Sequence, residues 1–126
     1  MTTDARRTLL REIEGQISER MFQQQIVDLA RLNSWRVYHT WNSKHSPSGW
    51  PDLALARLCP SQRGTTTELI FFECKTERGR LTEAQRDWLF VLGAVPGVVA
   101  RVVRPSDWPE IVALLSRRPA HSQGEA

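Results

Sequence analysis

"ELIFFECK", residues 68–75, decides the fold of this chain. Leu69–Phe72 is a short run of branched and aromatic side chains, the composition of a strand. It is apolar at consecutive positions, so both faces meet other protein and the strand belongs at the centre of a sheet. Successive strand residues point to opposite faces. Leu69, Phe71, Glu73 and Lys75 therefore share one face, and Ile70, Phe72 and Cys74 share the other. Cys74 falls among core residues and reads as packing rather than redox chemistry. Charges at the end of such a strand are costly to desolvate unless they are paired or bind a metal.

Upstream, "DLALARL" (52–58) reads as a second strand, introduced by the rigid "GWP" of 49–51. "CPSQRGTTT" (59–67) reads as a turn or long hairpin loop. "WRVYHT" (35–40) is another strand, followed by the polar loop "WNSKHSPSGWP" (41–51). Phe22, Ile26, Leu29 and Ala30 recur at helical spacing behind Ser18, a candidate N-cap, and "NSW" (33–35) ends that helix. Residues 4–14 read as an earlier short helix, interrupted at Gly15.

Downstream, Thr82 and Gln85 have the spacing of a capping box. Leu81, Ala84, Trp88, Leu89 and Leu92 mark a buried helix face, and Gly93 a stop. "GVVARVV" (97–103) is a fourth strand. "PSDWPEIVALL" (105–115) begins a last helix, capped by Ser106 or Asp107, with Ile111, Leu114 and Leu115 facing inward. The order α-β-β-β-α-β-α predicts an α/β fold, a small mixed β-sheet flanked by helices. Residues 1–115 are expected to form a single domain. The polar tail, residues 116–126, has no periodicity and is expected to be disordered.

The chain has 126 residues, 40% of them hydrophobic and 25% charged, which suits one ordinary globular domain. A chain of this size buries roughly two thirds of its unfolded surface and needs no covalent staples. Its two cysteines, Cys59 and Cys74, read as reduced thiols of a cytoplasmic protein, with no leader or membrane span in view. A net charge of +3 and a pI of about 9.4 are mildly basic. Between Asp28 and Glu68 the only acid is Asp52, amid Arg31, Arg36, Lys44, Arg57 and Arg63. One carboxylate in that neighbourhood is either a turn aspartate among solvated arginines or a placed ligand.

If strands two and three pair as a hairpin, Asp52 and Glu73 meet at one sheet end. Two converging carboxylates repel unless a cation lies between them. A hard divalent ion with oxygen ligands, Mg²⁺ or Mn²⁺, fits that role and draws in a phosphate. Lys75 would then orient the attacking water and offset charge in the transition state. The plainer alternative is a solvated Glu-Lys ion pair of little energetic weight. Gln85 serves the capping box, the site, or both. Glu19 on the first helix is either an exposed acid or a further ligand, and spacing alone leaves both open.

"GWPD" (49–52), "ECK" (73–75) and "LTEAQRDWL" (81–89) together resemble the motifs of the VRR-NUC family, within the PD-(D/E)xK, restriction-endonuclease-like superfamily of nucleases. "ERMFQQQIVDLARLNSWRVYHT" (19–40) is similar to the family's opening helix and strand, and "VVRPSDWPEI" (102–111) to its closing ones, so the resemblance spans about 18–115. It implies a restriction-endonuclease-like core in which Asp52 and Glu73 bind metal and the Cys74 carbonyl completes protein ligation. It further implies Lys75 as the catalytic lysine, Gln85 as the glutamine of the helix motif, and Glu19 as the acid of the first helix. Stand-alone members resemble Holliday-junction resolvases and work as homodimers. Trp41 stands where a basic residue is expected, and Trp50 where phenylalanine is more usual.

The expected activity is that of a metal-dependent endodeoxyribonuclease on branched DNA, acting as a homodimer in a bacterial or phage-infected cell. The alternatives are a flap or single-strand nuclease recruited by a replication or repair partner, and a non-catalytic nucleic-acid-binding module. Arg78, Arg80, Arg86, Lys44 and Trp41 are the candidate DNA contacts. Trp50 and Tyr38 read either as base-stacking surfaces or as packing. A ββα-metal reading built on His39, Asn42 and His45 is disfavoured by the order of strands and helices.

Overall fold

In a computed structural model, which describes residues 2–7, 9, 18–40, 47–61 and 64–117, four strands form one sheet in the order β1-β2-β3-β4. The elements are α1 (Glu19–Leu32), β1 (Arg36–His39), β2 (Leu53–Ser61), β3 (Gly64–Cys74), α2 (Glu83–Gly93), β4 (Val98–Val103), a 3-10 turn (Pro105–Asp107) and α3 (Trp108–Ser116). The order and the α/β class are those expected. β1–β2 and β2–β3 are antiparallel and β3–β4 is parallel, so the sheet is mixed, with β3 inside it. Residues 3–7 are helical as well. Apart from Leu9, the remainder of the expected 4–14 helix beyond them lies outside the described residues.

One face of the sheet carries the core. Ser18 caps α1, its hydroxyl accepting from the Met21 N–H, and Phe22, Ile26, Val27 and Ala30 are the residues that α1 buries. They close on Leu53 and Leu55 of β2, on Ile70, Phe72 and Cys74 of β3, and on Ile111 and Leu115 of α3. Cys74 is thus core packing, as its strand parity predicts. Trp35 is buried among them and donates its indole N–H to the Leu115 carbonyl at 2.8 Å. The Arg57 guanidinium lies 4.4 Å over the Trp35 ring. It donates to the carbonyls of Asn33, Leu115 and Arg117 and pairs with Glu68 at 3.1 Å, so this member of the basic middle stretch ties β2 to both core helices.

α2 lies on the opposite face, along β3 and β4. The stripe read from the sequence faces the sheet, but none of α2's residues is fully buried. A helix over the margin of a four-stranded sheet has neighbours on only one side. Phe90 and Val91, on its far side, are 80% and 60% exposed.

The stretch expected as a long loop is mostly ladder. β2 runs to Ser61 and β3 starts at Gly64, with Cys59 opposite Thr66 and Ser61 opposite Gly64. Backbone pairing with a run of β-branched threonines overrides the loop-like composition. The last helix also differs. A 3-10 turn precedes it, and the Asp107 carboxylate accepts from the Arg104 N–H instead of capping α3. α3 runs through Ser116, one residue into the expected tail, while residues 118–126 lie outside the described ones. Among the described residues no helix is long and apolar enough to cross a membrane.

Candidate active site

The antiparallel register places Leu53 opposite Phe72, which brings Asp52 to the end of β3 beside Glu73. Asp52 is held from several directions. Its backbone carbonyl accepts from the Thr40 N–H at 3.0 Å. Its Oδ2 accepts from the Cys74 N–H at 2.9 Å, which pins the carboxylate to the outgoing strand. The preceding loop is packed against α2. Gly49 has φ +87, and a Cβ there would lie 2.4 Å from the Ala84 carbonyl carbon and 2.7 Å from the Gln85 nitrogen. Only glycine tolerates both that backbone and that approach. Trp50 sets its ring edge-on to Phe71 at 5.6 Å and to Trp88 at 4.9 Å, and the Trp88 indole donates to the Ser48 carbonyl. Trp50 is therefore a packing residue of this junction.

Glu73 is buried, at 2% exposure. Its Oε1 accepts from Gln85 Nε2 at 2.9 Å and lies 3.9 Å from the Lys75 ammonium. Its Oε2 is buried with no hydrogen-bond partner among the described residues. Gln85 is positioned by the predicted capping box: Thr82 Oγ1 accepts from the Gln85 N–H, and Gln85 Oε1 accepts from the Thr82 N–H. One side chain thus serves the helix cap and the carboxylate together.

Glu19, from the first turn of α1, completes a cluster. One carboxylate oxygen from each of Glu19, Asp52 and Glu73 lies within 4.8 Å of the other two. At that separation, 4.8 Å, two full negative charges repel by roughly 3 kcal/mol at an effective dielectric near 20. The protonation of the site reflects it. Burial, and then the charge of Asp52, push the Glu73 carboxyl up to about 8, with Lys75 opposing. Burial also raises Glu19, against the pull of Lys75. The Cys74 thiol, buried beneath three acids, is raised well above its ordinary range and stays protonated.

These residues fit a divalent cation: three oxygen donors converge, one buried oxygen lacks a partner among the described residues, and three carboxyls share the one ammonium of Lys75. Of the expected DNA contacts, Arg78, Arg80 and Arg86 are exposed. They make no ion pair among the described residues. Trp41 and Lys44, with Asn42 and His45, lie outside the described residues. His39 turns toward α1, with its Nε2 on Gln23 Oε1, so it does not join the acids. Tyr38 is 63% exposed on the outer side of β1.

Two contributors lie beyond the sequence pattern. The sequence offers Gly49 only as part of a rigid approach to Asp52, whereas the structure makes it the point where the loop meets α2. Nothing in the sequence singles out Arg104. Its Nη1 donates to the carbonyls of Thr76 and Gly79, just beyond Lys75, and no local spacing signals a bond across that distance.

The VRR-NUC domain family matches residues 3–105, most of the chain. Nonribosomal peptide synthetase penN of Penicillium thymicola is 34% identical over 56 residues, 44% of this chain. That match spans 2% of the synthetase's own length. No solved structure matches.

Proposed function

This chain belongs to the VRR-NUC family, a nuclease of restriction-endonuclease-like fold, and from its site we propose a divalent-metal-dependent endonuclease for structured DNA. Branched DNA such as the Holliday junction is the proposed substrate, and a homodimer the working form. The observation that carries the reading is the convergence of Glu19, Asp52 and Glu73, with one Glu73 oxygen buried and without a hydrogen-bond partner among the described residues.

In this reading Asp52, Glu73 and the Cys74 carbonyl, with Glu19 beside them, hold Mg²⁺ or Mn²⁺. Such an ion polarises a phosphate and acidifies a bound water. The chain's own groups do the rest. Cys74 N–H fixes Asp52, and Gln85 Nε2 fixes one Glu73 oxygen, leaving the other for ligation. The Lys75 ammonium, 3.9 Å from Glu73, is too far for a direct hydrogen bond and remains available to orient water and to offset charge gathering on the phosphate. Exposed Arg78, Arg80 and Arg86, with Lys44 and Trp41, contact the DNA. Contacts to phosphate bind with strong salt dependence and little sequence information.

A homodimer supplies the two sites that symmetric cutting across a junction needs. Its support here is the apolar outer side of α2, where Phe90 and Val91 are 80% and 60% exposed, with Val95 just beyond the helix 50% exposed.

The test is a panel of labelled four-way junction, flap and duplex with Mg²⁺, Mn²⁺ or EDTA. Cutting of the junction, dependent on metal, abolished in folded Asp52→Ala and reduced to a small residual rate in folded Lys75→Ala, is expected. Binding without metal-dependent cuts would mean a non-catalytic module. Preference for the flap, or nicking of single strands, would move the substrate to a replication or repair intermediate handed over by a partner.

A further inference from the structure

Lys75 leaves β3 with its N–H on the Val103 carbonyl at 3.0 Å, so Lys75 and Arg104 emerge side by side from the parallel β3–β4 pair. The chain then makes a tight turn over residues 76–79, with Gly79 N–H on the Thr76 carbonyl. Arg104 reaches into this turn. Its Nη1 donates to the carbonyls of Thr76 at 2.6 Å and Gly79 at 2.7 Å, and more weakly to Glu77 at 3.4 Å. A second clip runs the other way: the Glu77 carboxylate accepts from the Ser106 N–H and from its hydroxyl. The Arg104 backbone is itself fixed by Asp107 Oδ2 at 2.8 Å.

The turn so held is a wall for the lysine. A Cβ placed on Gly79 would stand 3.5 Å from Lys75 Cδ, so Gly79 lies along the Lys75 stem. Gly79's own carbonyl is among those that Arg104 takes. The Arg104 guanidinium thus holds Gly79, and Gly79 in turn borders the space beside the Lys75 stem that any larger side chain there would share.

We propose that Arg104 is a positioning residue for Lys75, acting through the turn of residues 76–79. The inference rests on the reading of Lys75 given above. A flexible four-carbon stem loses its preferred orientation when the wall beside it moves, and small misplacements of a reacting group cost large factors in rate. Arg104 itself touches neither the acids nor, in this reading, the DNA.

Arg104→Gln shortens the side chain, so that its amide falls short of the carbonyls that Nη1 reaches, and removes the charge. It is expected to lower the single-turnover cleavage rate at saturating DNA by about 10- to 100-fold. DNA affinity, measured in Ca²⁺, is expected to stay within about twofold. In a Lys75→Ala background the same substitution is expected to leave the residual rate unchanged, because the two residues act as one unit. A loss confined to stability would appear equally in both backgrounds.

A second readout needs no cleavage. The chain has two lysines, Lys44 and Lys75, so a protein labelled at lysine gives a Lys75 ε-carbon signal assignable by its loss in Lys75→Ala. In Arg104→Gln that signal is expected to move to the position of a mobile lysine. Failure of wild type to cut, or full activity of Lys75→Ala, would remove the reading of the site. Wild-type cleavage by Arg104→Gln, equal losses in both backgrounds, or an unmoved Lys75 signal would remove the positioning role alone.

Discussion

Gln85 and Glu73 are joined by a 2.9 Å hydrogen bond from the amide nitrogen of one to a carboxylate oxygen of the other, while the same amide's oxygen closes the cap of α2. The helix start and the acid are therefore one mechanical unit. Gln85→Ala removes both bonds. Only the bond from the Thr82 N–H is lost from the capping box, the Thr82 hydroxyl keeping its own, at a net cost of roughly 1 kcal/mol, and Glu73 loses its anchor besides. Gln85→Glu keeps the cap acceptor but sets a fourth carboxylate against the cluster. The expected order of cleavage rates is wild type, then Gln85→Ala, then Gln85→Glu. Equal thermal midpoints for wild type and Gln85→Ala would contradict the cap.

The Glu73 carboxyl, raised to about 8 by burial and by Asp52, makes stability and metal binding depend on pH in a definite sense. Its folded value exceeds its unfolded value, so between roughly 4.5 and 8 the folded protein holds more protons than the unfolded one. Metal-free stability therefore falls as pH rises through that window. Glu73→Gln, which mimics the protonated acid, is expected to be more stable than wild type in EDTA, by a margin that grows from pH 5 to pH 9. Denaturant titrations at both pH values decide it.

In the proposed reading Mn²⁺ would reverse that preference by replacing the proton. Titrating it into wild type at pH 7 is expected to release protons, seen by calorimetry in buffers of different ionisation enthalpy, and to release fewer at pH 9. Metal at 100 times its dissociation constant would add about 2.7 kcal/mol of stability. Asp52→Asn and Glu73→Gln are expected to lose most of that gain. An equal gain in both variants would place the ion elsewhere.

Two glycines separate backbone strain from close packing. Gly49 and Gly64 both have positive φ, at +87 and +120, but a Cβ on Gly64 meets nothing within 4 Å while one on Gly49 strikes the backbone of α2. Gly64→Ala is expected to cost on the order of 1 kcal/mol from conformation alone. Gly49→Ala adds the displacement of α2 and with it Gln85, so it is expected to cost several-fold more stability and to lower cleavage. Similar midpoints for the two variants would show that the loop does not brace the helix.

Much of this site was legible because its parts are local. Strand parity places Ile70, Phe72 and Cys74 on the core side and Glu73 and Lys75 on the other, and the Thr82–Gln85 spacing marks the cap. Strand order alone then brings Asp52 to Glu73. What stayed hidden depends on pairing at a distance. The ladder continues through "CPS" and "GTTT" because the two stretches face each other, which neither announces singly. The half-buried state of α2 follows from the width of the sheet beneath it and not from the helix's own pattern. Arg104 reaches carbonyls of residues 76 and 79 across a parallel strand pair, a bond with no sequence period.

The outer side of α2 carries the last expectation. Phe90 is 80% exposed on a helix whose inner residues already face the sheet, and Val91 and Val95 extend the patch. In the proposed homodimer such surface would lower its free energy by meeting its own copy across a two-fold axis, with each Phe90 against the partner's apolar patch. Phe90→Asp places a charge at the middle of that contact while leaving the core and the acids untouched. The variant is expected to scatter light as a monomer at micromolar concentration, where the wild type is expected to scatter as a dimer, and to keep its thermal transition. It is expected to nick one strand of a junction instead of cutting two together. A monomeric wild type would count against paired cutting, and a Phe90→Asp dimer would move the interface off α2.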